Sequence, residues 1–183
     1  LRGFGYEGGS GRATMTPTAE FGKDFKNQAT QIGPWNISLG GFAETLPYYD
    51  NKAWISDEAT DQWGLPLMKF SAEIKENEYK MRKDMVNDAA EMLDAAGYKD
   101  IGTFDDFSGF GRCIHEMGTA RMGHSPKDSV LNNNNQVWGA ENVFVTDGAC
   151  MVSNSCANPS LTYMALTARA ADFAVSELKK GNL

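Results

Sequence analysis

The sequence is poor in the residues that build disulfide frameworks and metal sites. It has three cysteines, which cannot all pair with one another, and only two histidines among 183 residues. Neither a CxxC pair nor any other regular ligand spacing occurs. This composition argues against a disulfide-stabilised domain, and the sequence predicts no bound metal.

Long apolar runs and clusters of basic residues are also absent. No stretch approaches the roughly 20 apolar residues of a membrane-spanning helix, and the first residues lack the basic-then-apolar order of a secretion signal. The net charge is −7, and Lys and Arg are evenly spread, whereas phosphate binding needs clustered cations. The sequence therefore predicts a soluble protein with no membrane span and no nucleic-acid partner, and it leaves the compartment, cytoplasmic or periplasmic, open.

The chain does contain enough apolar material for a globular core, since 42% of its residues are hydrophobic. Strand-like segments separated by turn signals run from Trp35 to Ile74. Three strands with short connections predict an antiparallel sheet. Apolar residues at helical spacing then predict a helix over residues 76–96, capped by Gly97 and packed across the sheet. The predicted fold class is α+β, an antiparallel sheet covered by helices.

Residues 1–34 are predicted to be a glycine-rich connector followed by an irregular segment. They include a literal G-x-G-x-x-G at Gly3, Gly5 and Gly8. That pattern binds a dinucleotide only where a strand enters it and a helix leaves it. Neither is expected here, so we interpret the glycines as a flexible connector, with a short helix around residues 19–28 as one option.

A strand and a helix are predicted near the carboxy terminus. The run Val143–Val145 is too apolar for an exposed edge and predicts a strand buried on both faces, as in a parallel sheet. Asn158 and Pro159 predict a helix start with Asn158 as the N-cap. Strand ends and helix N-termini bind dinucleotide phosphates and ring systems in α/β sheets. Because His115 precedes these elements, the segment suggests a site built around a cofactor.

His115 has other interpretations when it is taken alone. His115-Glu116 begins like the zinc motif H-E-x-x-H, but the fifth position is Thr119, so a ligand is missing. His124 is interpreted as a solvated loop residue, and no G-x-S-x-G elbow supports a serine hydrolase. A structural role for His115 is as consistent with the local sequence as a catalytic one.

The segment from His115 to about Val175 resembles the carboxy-terminal signature of the glucose–methanol–choline (GMC) flavin oxidoreductases. Three motifs match in order: His-x-x-Gly-Thr-x-Arg-Met-Gly from His115, Asn-Val-x-Val-x-Asp-Gly from Asn142, and Asn-Pro-x-Leu-Thr from Asn158. The sheet and helix predicted for residues 35–96 resemble the substrate domain of that family in architecture only.

The resemblance implies a domain organisation. Residues 35–112 would form the substrate-domain sheet and helix, and residues 113–183 the active-site motif with the last strand and helix of an FAD-binding α/β domain. The chain would then be the carboxy-terminal part of a longer enzyme, whose amino-terminal FAD-binding portion is its partner. Alone, it is expected to be inactive and to self-associate or be weakly ordered near the motif.

The resemblance also implies roles for single residues. His115 matches the active-site histidine of the family and Asn158 the second member of its catalytic pair, while Asp147, Gly148 and Pro159 match positions that lie against FAD. The implied reaction oxidises an alcohol, such as a sugar or polyol, by proton removal at the hydroxyl and hydride transfer to FAD. For Asn158 this role competes with that of N-cap.

Two other classes of protein remain open. A non-catalytic carbohydrate-binding module predicts Trp35, Trp54 and Trp63 on one exposed face. A structural partner subunit of a separate flavoprotein predicts an extended apolar patch on the surface. Of the three interpretations, only the flavin oxidoreductase makes this chain part of a catalytic protein.

Overall fold

The computed structural model describes residues 3–14, 17–18, 21–107, 109–112 and 114–183. In chain order the elements are β1 (Phe4–Thr14), α1 (Gly22–Ala29), β2 (Ile32–Ala43), β3 (Lys52–Thr60), β4 (Pro66–Ser71), α2 (Glu76–Ala95), β5 (Gln136–Val137), β6 (Ala140–Phe144) and α3 (Ser160–Lys180). A short 3-10 turn at Gly148–Cys150 precedes α3. The described strands form three antiparallel pairs, β1–β2, β3–β4 and β5–β6. The α+β class is confirmed.

The expectation of a connector at the amino terminus is wrong, because the glycine-rich stretch forms β1. This strand pairs with β2 over most of its length, beginning with Phe4 opposite Ala43. Glycine has no side chain, so the alternation that marks a strand is invisible in this stretch. It also permits close approach, since a Cβ added at Gly8 would overlap the carbonyl oxygen of Ser38. The G-x-G-x-x-G therefore lies on a strand and is not a strand–turn–helix.

The predicted single sheet of three strands is also wrong. β2 pairs with β1, while β3 pairs with β4 in a separate hairpin in which Ile55 lies opposite Met68. The prediction leaves out β1 and so gives β2 the wrong neighbour. The division into segments at residues 35 and 113 remains a prediction, and residue 113 lies outside the described residues.

The helix predicted over residues 76–96 is present as α2 and packs against β2. The hydroxyl of Tyr6 in β1 donates to the Met85 carbonyl at 2.7 Å, which attaches the sheet to the helix. The Met85 side chain fills the space beside Gly41 of β2, so a Cβ added there would overlap the Met85 sulfur. Gly97 has a φ of +87°, the left-handed conformation of a C-terminal cap. None of the described helices is long and apolar enough to cross a membrane.

A buried carboxylate fixes the start of α2. Glu78 is 2% exposed and accepts hydrogen bonds from the backbone N–H groups of Lys75 and Leu46, at 2.8 and 3.2 Å, and from the Tyr48 hydroxyl at 2.9 Å. Desolvation opposes its ionisation, but these bonds and one from Asn77 outweigh it and hold the pKa of Glu78 below its ordinary value. Glu78 thus ties the loop before β3 to α2.

We expect Glu78→Gln to lower the free energy of unfolding by about 2 kcal/mol at neutral pH, because it weakens charge-assisted hydrogen bonds to a buried group. The folded-state pKa is lowered, so this contribution is present above the unfolded pKa of about 4.3 and is lost as the pH falls through the folded value. Urea unfolding at neutral and acidic pH measures the difference between the two proteins under both conditions.

The control for this prediction is Glu76→Gln on the same turn of α2. Glu76 is exposed and forms a 2.6 Å ion pair with Lys80. Exposed pairs of this kind contribute little, so we expect a change below about 0.5 kcal/mol. Equal losses in the Glu78 and Glu76 variants would contradict the role given to Glu78.

The predicted burial of the Val143–Val145 strand on both faces is wrong. β6 forms a short antiparallel hairpin with β5, in which Gln136 lies opposite Phe144. Val143 is 43% exposed. The prediction inferred burial from apolar composition, but β5 is the one strand among the described residues that pairs with β6.

The predicted N-cap role of Asn158 is wrong as well. α3 begins at Ser160, and its N-terminus has no side-chain capping hydrogen bond. Pro159 precedes the helix, and its carbonyl accepts from the Tyr163 N–H at 3.0 Å. Asn158 is exposed, so its side chain is not committed to closing the helix end.

Candidate active site

The loop that follows His115 lies along the turn that precedes α3. Three of its backbone N–H groups donate to three successive carbonyls of that turn: Gly118 to Gly148 at 3.1 Å, Ala120 to Ala149 at 3.1 Å and Met122 to Cys150 at 3.0 Å. Gly118 and Thr119 have positive φ values of 96° and 74°. We call residues 114–123 the motif loop. Two motifs that are distant in sequence are thereby joined.

Gly148 is the point at which the motif loop, the turn and α3 meet. A Cβ added to Gly148 would lie 2.6 Å from the backbone oxygen of Glu116 and 2.9 Å from the hydroxyl of Tyr163. Tyr163, in the first turn of α3, also donates its hydroxyl to the sulfur of Met117 at 3.5 Å. The three segments approach so closely that only a glycine fits between them.

The predicted site residues lie on these three segments. His115 is half-buried in the motif loop, Asn158 is exposed just before α3, and Pro159 is buried. Asp147 is exposed and accepts a hydrogen bond from the Ala149 N–H at 3.0 Å. Among the described residues no hydrogen bond joins the side chains of His115 and Asn158, so their joint action remains a prediction.

The N-terminus of α3 adds an electrostatic feature. The helix has 21 residues, and its first N–H groups are not capped by a side chain. Such an end carries a partial positive charge and unpaired donors. It therefore favours an anionic or electron-rich group near Asn158 and the turn.

The structure also contains a buried polar cluster next to the turn, formed by Asn135 and Arg169, which was not predicted from the sequence. Asn135 is fully buried. Its amide donates to the Val145 carbonyl at 3.0 Å and accepts from Arg169 of α3 at 3.1 Å. Burial raises the pKa of the Cys150 thiol at the end of the turn. A charged Arg169 within an alanine-rich helix was the one sequence signal of this cluster.

A cavity of about 330 Å³ lies elsewhere, between α2 and the β1–β2 sheet. Apolar side chains such as Met81 and Leu39 line it, and none of the predicted site residues does. Its lining is the helix–sheet interface of the fold, so it adds nothing to the chemistry around His115.

The sequence matches a profile described as GMC oxidoreductase over residues 50–167. This chain belongs to the GMC oxidoreductase family. The resemblance carried by the three motifs is thereby confirmed.

Similar proteins include dehydrogenases and oxidases. The chain is 36% identical to 2-methyl-1,2-propanediol dehydrogenase of Mycolicibacterium austroafricanum over 72% of its length, which covers 24% of that relative. It is 30% identical to the fructose dehydrogenase large subunit of Gluconobacter japonicus over 87% of its length and 29% of that relative. It is 30% identical to C-glycoside 3-oxidase of Microbacterium trichothecenolyticum over 78% of its length and 28% of that relative. The chain spans about a quarter of the length of these relatives.

Proposed function

We propose that this chain is the carboxy-terminal part of an FAD-dependent enzyme that oxidises the CH–OH group of an alcohol, with a sugar or polyol as the favoured substrate. The observation that carries the proposal is the junction of the motif loop with Gly148 and α3. It joins the first two family motifs, and Tyr163 brings the helix that follows the third motif to the same place. The names of the similar proteins, which include a diol dehydrogenase and a fructose dehydrogenase, support the substrate class.

The residues around the junction fit a flavin. Asp147 is exposed, and the uncapped N-terminus of α3 offers positive potential to an electron-rich ring. Gly148 would contribute through its backbone, because Glu116 and Tyr163 fill the space beside its Cα. When bound, FAD supplies the acceptor for a hydride.

His115 and Asn158 would act on the substrate hydroxyl. A ring nitrogen of His115 would accept the hydroxyl proton, since a neutral imidazole has one nitrogen that acts as an acceptor. Such assistance is worth roughly 10²–10⁴-fold in rate. The Asn158 amide would orient the same oxygen by hydrogen bonding, which its freedom from the N-cap role supports.

The apolar surface of the carboxy-terminal region supports an amino-terminal FAD-binding portion as partner. Side chains of β6 and α3 are open to solvent, among them Val143, Leu161, Met164 and Leu178 at 43%, 78%, 67% and 63% exposure. Apolar surface of this extent normally contacts another element or chain. A covering domain would place the flavin beside the junction.

We expect the full-length protein that contains this chain to be yellow and to be bleached anaerobically by a polyol or sugar. Residues 1–183 alone, purified with excess FAD, are expected to be colourless, because no glycine-rich turn for the pyrophosphate leads from a strand into a helix among the described residues. The visible spectrum tests both proteins, and light scattering tests self-association of the shorter one. A flavin spectrum at stoichiometric occupancy in residues 1–183 alone would contradict the proposal that an amino-terminal portion holds the FAD.

The alternatives make different predictions for the same experiment. A partner subunit is favoured by the open apolar face of the β3–β4 hairpin, where Ile55, Met68 and Phe70 are 64%, 60% and 71% exposed. It predicts a full-length protein without flavin that captures a separate flavoprotein. A carbohydrate module is less favoured, since cationic side chains lie over the rings of Trp35 and Trp54 at 6.0 and 5.8 Å.

A further inference from the structure

We propose that Asn135 is a positioning residue for this site: its buried amide, held by Arg169, fixes the turn to which the motif loop is hydrogen-bonded. The inference rests on the proposed function for its catalytic consequence. The linkage itself is a property of this chain and can be tested without catalysis.

Asn135 binds Val145, the residue that follows β6, through its backbone and through its side chain. Its backbone carbonyl accepts from the Val145 N–H at 3.0 Å, and its side-chain nitrogen donates to the Val145 carbonyl at 3.0 Å. Val145 precedes Asp147 by two residues. Asn135 is fully buried with a φ of +63°, a conformation that asparagine tolerates better than most residues.

Arg169 holds the other end of the same amide. Its Nη2 atom donates to the Asn135 side-chain oxygen at 3.1 Å and contacts the Met122 sulfur at 3.5 Å. The guanidinium thus connects α3, the β5–β6 hairpin and the end of the motif loop. An apolar side chain at position 135 could fill the space but could not make these directed contacts.

The linkage passes to His115 through the turn. Asn135 fixes Val145 by two hydrogen bonds, so it holds the backbone two residues before Asp147, where the turn begins. The carbonyls of the turn, once held in position, accept the hydrogen bonds of the motif loop. Because a displacement of about 1 Å at a reacting group can cost roughly 10²-fold in rate, loosening the turn would misplace the base.

The test compares two deletions and a double variant in the full-length protein. Asn135→Gly removes the amide and keeps the left-handed backbone, and Arg169→Met removes its donor. We expect each to lower the rate of flavin reduction per bound flavin about 10-fold. The double variant should be within about 2-fold of either single variant, because both break one linkage.

Rescue and controls separate positioning from general stability. Arg169→Lys keeps a cationic donor and should recover most of the rate. Glu78→Gln weakens hydrogen bonds to Lys75, Leu46 and Tyr48, which lie outside the motif loop and the turn, and should leave the rate per bound flavin unchanged. Parental rates in both deletion variants, or losses that multiply in the double variant, would overturn the inference.

Hydrogen exchange gives a readout that does not depend on activity. In Asn135→Gly we expect the amides of residues 118–122 to exchange about 10-fold faster, with α2 unchanged. If no alcohol bleaches the parental protein, the proposed function fails, and exchange alone then decides the inference. Unchanged exchange in the motif loop would overturn it.

Discussion

Replacing His115 with alanine in the full-length protein is expected to slow flavin reduction by at least about 10²-fold while FAD stays bound. The side chain is half-buried in the motif loop beside the turn and makes no capping or ion-pair contact in the described structure. Its removal would delete the proposed proton acceptor and leave the backbone contacts of the loop in place. Anaerobic stopped-flow bleaching with the best substrate measures the rate.

The second histidine of the chain supplies the matched control. His124 is exposed and lies just beyond the motif loop. We expect His124→Ala to reduce the flavin within about 2-fold of the parental rate. A His115→Ala protein that bleaches at the parental rate would return His115 to a structural role, and an equal loss in both variants would point to a shared electrostatic effect.

The parts of the fold that were predicted correctly have local causes. α2 carries an apolar stripe at helical spacing and ends where Gly97 permits a left-handed cap, so a short stretch of sequence suffices to define it. β1 has no such local signal, because its glycines hide the alternation of a strand. The pairing of β2 could not be predicted without it.

Burial in the carboxy-terminal region depended on contacts that no local pattern encodes. Apolar composition suggested a buried strand, yet Val143 is 43% exposed in a short hairpin. Asparagine is mostly exposed in folded proteins, yet Asn135 is fully buried, and Val145 and Arg169 satisfy its amide. The polarity of a side chain is therefore a poor guide to its burial, because a polar side chain whose hydrogen bonds are all satisfied can lie in the interior.

The sequence predicts which motifs belong to the candidate site. It does not predict how these motifs contact one another. The sequence indicated His115, Asp147, Gly148 and the start of α3 through their order along the chain. The contacts that join them run between backbone groups of the motif loop and the turn, and backbone donors occur at almost every residue. The structure therefore adds the junction and a physical reason for Gly148.

That reason predicts a large effect from the smallest change at the site. In Gly148→Ala the new methyl group would lie 2.6 Å from the Glu116 carbonyl oxygen and 2.9 Å from the Tyr163 hydroxyl. Overpacking of this kind typically costs about 1–3 kcal/mol. The Glu116 oxygen belongs to the backbone next to His115, so relief of the clash would displace the proposed base. We expect flavin reduction in the full-length protein to slow by about 10-fold or more.

Two further variants identify the contact responsible. Gly139→Ala, in the β5–β6 turn, has no atom within 4 Å of the added Cβ and should leave the rate of flavin reduction unchanged. Gly148→Ala combined with Tyr163→Phe removes the hydroxyl contact but not the backbone one, so it should remain as slow as Gly148→Ala alone. Recovery of the parental rate in the double variant would show that the hydroxyl, and not the backbone beside His115, limits the space at Gly148. A Gly148→Ala protein as fast as Gly139→Ala would show that the motif loop can move away from the turn without loss of function.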